Sequence, residues 1–243
     1  MLTNDNTVLV ILNIKNWLGY KYDKQASQDT VEKNRMEKGA GRFNKKLLPK
    51  YCLKPIKHAI QDFKQYFIEN TLPYQGIAAT RILPTQGFMD FHDAVANAES
   101  IIEERVSNFM NNYGTYKEQA QSMLGDLYRE EDYPPLEKIP ALYKIRIQYL
   151  PIPEAVNFNS QIGNAHIKEL NDHLLEISEL SVEELFFRTY TVLNKLNNIL
   201  DGDSQRIFYS TTVGNIEKTI DQLDKLNYLN RAEVSELRNL LID

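Results

Sequence analysis

Ten basic residues fall between positions 33 and 64: Lys33, Arg35, Lys38, Arg42, Lys45, Lys46, Lys50, Lys54, Lys57 and Lys64. Only Glu37 and Asp62 oppose them, so the segment carries +8 in a chain whose total is −5; the other 18 basic and 31 acidic residues put −13 elsewhere. Cations at this density, with Phe43 and Tyr51 interspersed, suit phosphate binding, and nucleic acid is the polymer that offers phosphates in series. Arg42, Lys45, Lys46, Lys50, Lys54 and Lys57 are the expected contacts. Lys54 and Lys57 also lie near an expected helix start, where the macrodipole disfavours cations and an incoming phosphate would relieve them. Gly39-Ala40-Gly41-Arg42 followed by Lys45-Lys46 brings glycine and cations together as a phosphate cradle would, without P-loop spacing or a Gly-Lys-Ser/Thr ending. The competing reading is that the segment folds against the acidic remainder, as an internal or subunit contact.

Other chemistry finds less footing. A nucleophile needs a base beside it, but there is no Gly-x-Ser-x-Gly elbow, and Cys52, the single cysteine, reads as a small, partly buried residue. Its lysine-rich surroundings would lower its pKa if it were exposed. One cysteine excludes a disulfide framework and a multi-thiolate zinc site. His166 and His173 share one expected helix but lie seven residues apart, about 10 Å along the axis, too far for one ion. Asp90, His92 and Asp93 read as cap and dipole partners at a helix start. Asp201-Gly202-Asp203 lacks the spaced oxygens of a calcium loop. The acids Glu103-Glu104 and Glu130-Glu131-Asp132 read as solvated. No enzyme, cofactor or metal site is therefore expected.

The elements that must position the basic segment follow from hydropathy. The chain has 243 residues, 42% hydrophobic and 25% charged, with 10 Gly and 9 Pro, the composition of a globular protein. Its first residues carry an acid where a signal peptide carries positive charge, and its longest apolar run, Val8 to Leu12, is far too short to span a bilayer, which together predict a cytoplasmic protein. Residues 7–22 read as one strand, 23–36 as a short helix and 37–49 as a loop. Leu53, Ile56, Ile60, Phe63 and Phe67 mark one helix face from Lys54, with Pro55 in its first turn. A short strand is expected at 77–84, and a long helix from Phe88 until Tyr113-Gly114 closes it. Pro134, Pro135 and Pro140 mark a loop, and Tyr143, Ile145, Ile147 and Tyr149 alternate as a strand with one wet face. The last eighty residues read as helices, broken at 201–203, with Ser181–Glu184 and Asn230–Glu233 resembling capping boxes. Their apolar stripes suit core or an oligomer seam. The expected fold is α+β, predominantly helical, with a small sheet of two or three strands: an α+β domain over 1–160 holding the basic segment 33–64, and a helical region over 161–243, packed as one unit.

The order of motifs carries a resemblance. Trp17-Leu18-Gly19-Tyr20-Lys21-Tyr22-Asp23-Lys24, Gly41-Arg42-Phe43-Asn44-Lys45-Lys46-Leu47-Leu48, Thr71-Leu72-Pro73-Tyr74, Arg81-Ile82-Leu83-Pro84, Leu124-Gly125-Asp126-Leu127-Tyr128, Asp132-Tyr133-Pro134 and Leu150-Pro151-Ile152-Pro153 resemble a widespread family of uncharacterised tailed-bacteriophage proteins. The similarity runs from the first strand to about residue 160, and the helical tail matches in character. It implies a protein acting in an infected bacterial cytoplasm on phage or host components. Relatives encoded near MoxR-type AAA+ ATPase genes imply a protein partner, such as an AAA+ ATPase or a host defence factor. The expected function is non-catalytic: nucleic-acid binding through the basic segment during replication or host takeover, or alternatively a protein–protein adaptor or inhibitor with no nucleic-acid contact.

Overall fold

The computed structural model describes residues 2–74, 79–153, 164–200 and 210–242. Its elements in chain order are β1 (Thr7–Asn16), β2 (Tyr20–Tyr22), α1 (Lys24–Lys33), β3 (Asn44–Lys46), α2 (Lys50–Glu69), β4 (Leu72–Pro73), β5 (Thr80–Pro84), α3 (Phe88–Asn111), α4 (Tyr113–Leu124), β6 (Tyr143–Leu150), α5 (Asn164–Leu200), α6 (Ser210–Leu226) and α7 (Ala232–Ile242). The fold is α+β and predominantly helical, with a small sheet ordered β4-β5-β1-β6 and a separate ribbon, β2-β3. Among the described residues no helix is long and apolar enough to cross a membrane.

The chain divides into two compact units, neither a consecutive stretch: Met1–Asn13, Gln65–Ala94 and Ile147–Asp243 form the first, and Ile14–Lys64 with Val95–Arg146 the second. In the first, β5 pairs antiparallel with β1 and β4, setting Val8 opposite Leu83 and Leu72 opposite Ile82. The buried side chains of these strands join Leu174 and Ile177 of α5, Leu223 of α6 and Val234 of α7 in one apolar cluster. Of the strand expected at 77–84, Thr80–Pro84 form β5 and Ala79 stands in the turn before it, while 77 and 78 lie outside the described residues, as does the expected helix break at 201–203. Ser181 is no N-cap: it sits inside the 37-residue α5, where its hydroxyl donates to the Ile177 carbonyl.

The second unit departs from expectation where it matters for function. The strand read over 7–22 ends at Asn16, because Gly19 takes φ +70°, a conformation that glycine adopts without a Cβ penalty. A Cβ there would also stand 2.7 Å from Leu53 Cδ1. Past this turn the chain re-enters as β2, and Leu47 donates its N–H to the Gly19 carbonyl at 2.8 Å. Gly19→Ala therefore meets both left-handed strain and a clash, and is expected to lower stability by about 1–3 kcal/mol in urea denaturation. An unchanged unfolding midpoint would show that the turn is not constrained in this way.

Helix α2 begins at Lys50 rather than Lys54, so Pro55 lies in its second turn and leaves the Tyr51 carbonyl without the usual i+4 donor. The expected apolar face is intact, with Leu53, Ile56, Ile60, Phe63 and Phe67 all buried. Gly114 does not close α3; that helix ends at Asn111, and Gly114 lies inside α4. Three buried tyrosines tie the second unit together through their hydroxyls: Tyr133 donates to the Leu47 carbonyl at 2.7 Å, Tyr113 to Pro134 at 2.9 Å and Tyr143 to Trp17 at 3.1 Å. Burial pushes all three phenols above the ordinary tyrosine range.

Candidate nucleic-acid interface

The ribbon sorts the basic segment into two classes. Antiparallel pairing sets Tyr20 opposite Lys46, Lys21 opposite Lys45 and Tyr22 opposite Asn44. Side chains alternate along each strand, so Tyr20, Tyr22, Lys46 and Asn44 share one face while Lys21 and Lys45 share the other.

The inner face holds a buried charge cluster. Lys45, at 2% exposure, sits 3.0 Å from Asp23 and 2.5 Å from Asp132, and its ammonium donates to the Leu127 carbonyl at 2.9 Å. The two carboxylates supply the counter-charges, and the carbonyl accepts a hydrogen bond from the ammonium. Two lysines directly opposite on a ribbon repel. Asp132 offsets this by also pairing with Lys21 at 2.8 Å. Asp23 carries a second duty: its carboxylate accepts from the Ala26 N–H at 3.0 Å and caps α1. That N–H, and then Lys45, hold the Asp23 carboxyl below its ordinary value. Burial raises Asp132, but its bonds to Lys21 and Lys45 outweigh it and the group is held low. Burial likewise disfavours charge on Lys45, yet Asp132 and Asp23 outweigh it and the ammonium is held above its ordinary value. All three groups stay ionised at neutral pH, so Lys45 is neither a nucleophile nor a base.

Lys45 is therefore removed from the expected phosphate contacts, and Asp132, expected to be a solvated loop acid, is 5% exposed. For this one residue the competing sequence reading is right: a cation of the basic segment has folded against acids from elsewhere in the chain.

The outer face is different. Tyr20 and Tyr22 are 49% and 44% exposed. The Arg42 guanidinium carbon lies 4.6 Å from the Tyr22 ring centroid, and Lys57 Nζ lies 5.8 Å from that of Tyr20. Such cation–π contacts contribute about 0.5–1 kcal/mol at exposed sites and pre-position both partners. Lys50, Lys54 and Lys57 fall at i, i+4 and i+7 on α2, one stripe of the helix, whose first turn contains no acid. Arg42, Lys50 and Lys54 are exposed, and Lys46 and Lys57 half-buried. None of these five is ion-paired to another described residue. The structure thus brings Arg42, Lys46 and Lys57 together with two tyrosines and adds Lys50 and Lys54 on the same helix as Lys57. Tyr51 stands apart, edge-on to Tyr116 with its hydroxyl bonded to Gln119.

The other sequence candidates gain nothing. Cys52 is buried, and burial pushes its thiol up, away from reactivity. His166 and His173 each lie beside a glutamate of their own helix, and the described residues hold no group of three metal-ligating side chains. Glu130 is engaged by Lys117 and Tyr128, which hold its carboxyl low. No protein-family model, curated protein or solved structure matches the chain.

Proposed function

We propose that the protein binds nucleic acid through the outer face of β2-β3 and the adjoining stripe of α2, with Arg42, Lys46, Lys50, Lys54 and Lys57 on phosphates. The observation that carries this reading is the pairing of cations with half-exposed tyrosines on one ribbon face, with no ion pair to a described residue neutralising those cations. A structural salt-bridge surface would look like the inner face, where each charge has its counter-charge. The role is non-catalytic, and the resemblance to tailed-phage proteins supports replication or host takeover as the setting of the binding. Fluorescence anisotropy across a salt series tests it: five phosphate contacts give a slope of log affinity against log salt of about −3.5 to −4.5. A slope near zero, or no binding at 50 mM salt, would count against the interface.

A second reading, a protein–protein adaptor or a self-associating chain, is favoured by one feature of α5, where Phe187 and Tyr190 are 65% and 64% exposed at i and i+3. Light scattering of the full chain and capture of an AAA+ ATPase or host factor, each compared with Phe187→Ser/Tyr190→Ser, tests that surface.

A further inference from the structure

We infer that the strand this interface takes is single-stranded nucleic acid, two of whose bases stack on Tyr20 and Tyr22; the inference rests on the nucleic-acid reading of the same face and deepens it. The chain itself supplies the contrast. Tyr113, Tyr133 and Tyr143 are buried, and each commits its hydroxyl to a backbone carbonyl. Tyr20 and Tyr22 are neither buried nor hydrogen-bonded through their hydroxyls to another described residue, and a polar side chain would serve a ribbon surface as well. What remains distinctive in them is ring surface, left about half open even with Arg42 and Lys57 alongside.

Ring surface is useful to a ligand with free aromatic faces. In a duplex, neighbouring bases stack on one another at about 3.4 Å and present edges rather than faces, so a duplex would use the cations here and leave the rings idle. In a single strand every base has a face to offer, and base–aromatic stacking is sequence-tolerant. Tyr20 and Tyr22 lie two residues apart on one strand, about 6.5–7 Å, twice the stacked spacing, so each ring suits one unstacked base. The cations are placed to match: Arg42 over the Tyr22 ring and Lys57 over the Tyr20 ring set a phosphate-binding group next to each stacking group, and Tyr22 and Tyr20 remain 44% and 49% exposed with those cations in place. Specificity for base identity is not expected, because no buried polar group on this face reads a base edge.

Fluorescein-labelled dT12, U12 and a 12-base-pair duplex, titrated with the full chain at 50 and 300 mM salt, test this. Either single strand is expected to retain binding at 300 mM salt where the duplex does not. Tyr20→Leu/Tyr22→Leu, which keeps bulk but removes the rings, is expected to weaken single-strand binding about tenfold or more and duplex binding by no more than about threefold, the part that follows from releasing Arg42 and Lys57 from their rings. Tyr20→Phe/Tyr22→Phe should bind as the parent does, and a thermal melt establishes that each variant is folded. Equal affinity for duplex and single strands, with no loss in the leucine variant, would overturn the single-strand inference and leave the phosphate-binding interface standing. No binding by any of the three at 50 mM salt would overturn both.

Discussion

Replacing Lys45 by alanine is expected to cost about 3–5 kcal/mol of stability, because it leaves the Asp23 and Asp132 carboxylates facing one another without their common cation. The same substitution at Lys46, the adjacent residue, is expected to change stability by less than about 0.5 kcal/mol, since its side chain makes no ion pair with a described residue. Urea denaturation of the two variants reads the difference directly. Comparable midpoints for Lys45→Ala and the parent would mean that the cluster is not what holds the ribbon. The pH dependence has a definite sign. Asp23 and Asp132 are held below their ordinary 3.8, so their stabilisation is complete above about pH 4 and is lost as the pH falls through the lowered values. Lys45 is held above its ordinary 10.5, so its contribution is complete below about pH 10 and is lost as the pH rises through the higher value. The parent should therefore lose stability at both extremes, and Asp132→Asn should lose less than the parent on acidification.

Reversing charge on the outer face is expected to have the largest effect on binding. Arg42→Glu/Lys46→Glu/Lys57→Glu replaces three cations by three anions beside the tyrosines and should weaken nucleic-acid binding about 100-fold or more at 100 mM salt. The melting temperature should stay near that of the parent, because none of the three is buried like Lys45. Reversal at Lys45 and Lys46 together would be a poor probe, since any loss of affinity would follow from unfolding. Unchanged affinity in the folded triple variant would remove this face as the interface.

Why Lys45 and Lys46 differ so much was not legible from the sequence. Both stand in the same basic run, and composition treats them alike. What separates them is ribbon alternation and the arrival of Asp23, 22 residues earlier, and Asp132, 87 residues later, and neither contact has a local signature. The helical stripe was legible in part: the apolar period of Leu53, Ile56, Ile60, Phe63 and Phe67 fixes a face, and Lys54 and Lys57 fall off it, whereas Lys50 joins the stripe because the helix starts one turn before the expected Lys54. Tyr20 and Tyr22 were hidden inside an apparently continuous strand. Gly19 was the available sign, because a glycine within a strand pattern marks a bend or a close backbone approach, and here it marks both. Helix α4 escaped for the opposite reason: Gly114 suggested an end, but neighbouring contacts through Tyr113 and Ala120, both buried, override its weak preference.

Photocrosslinking tests the central claim most directly. A single strand carrying 5-iodouracil, irradiated with the full chain and digested for mass spectrometry, should attach to the peptide containing Tyr20 and Tyr22, and the attachment should disappear with Tyr20→Leu/Tyr22→Leu. Crosslinks confined to peptides outside the ribbon and the first turns of α2, unaffected by those substitutions, would contradict the account.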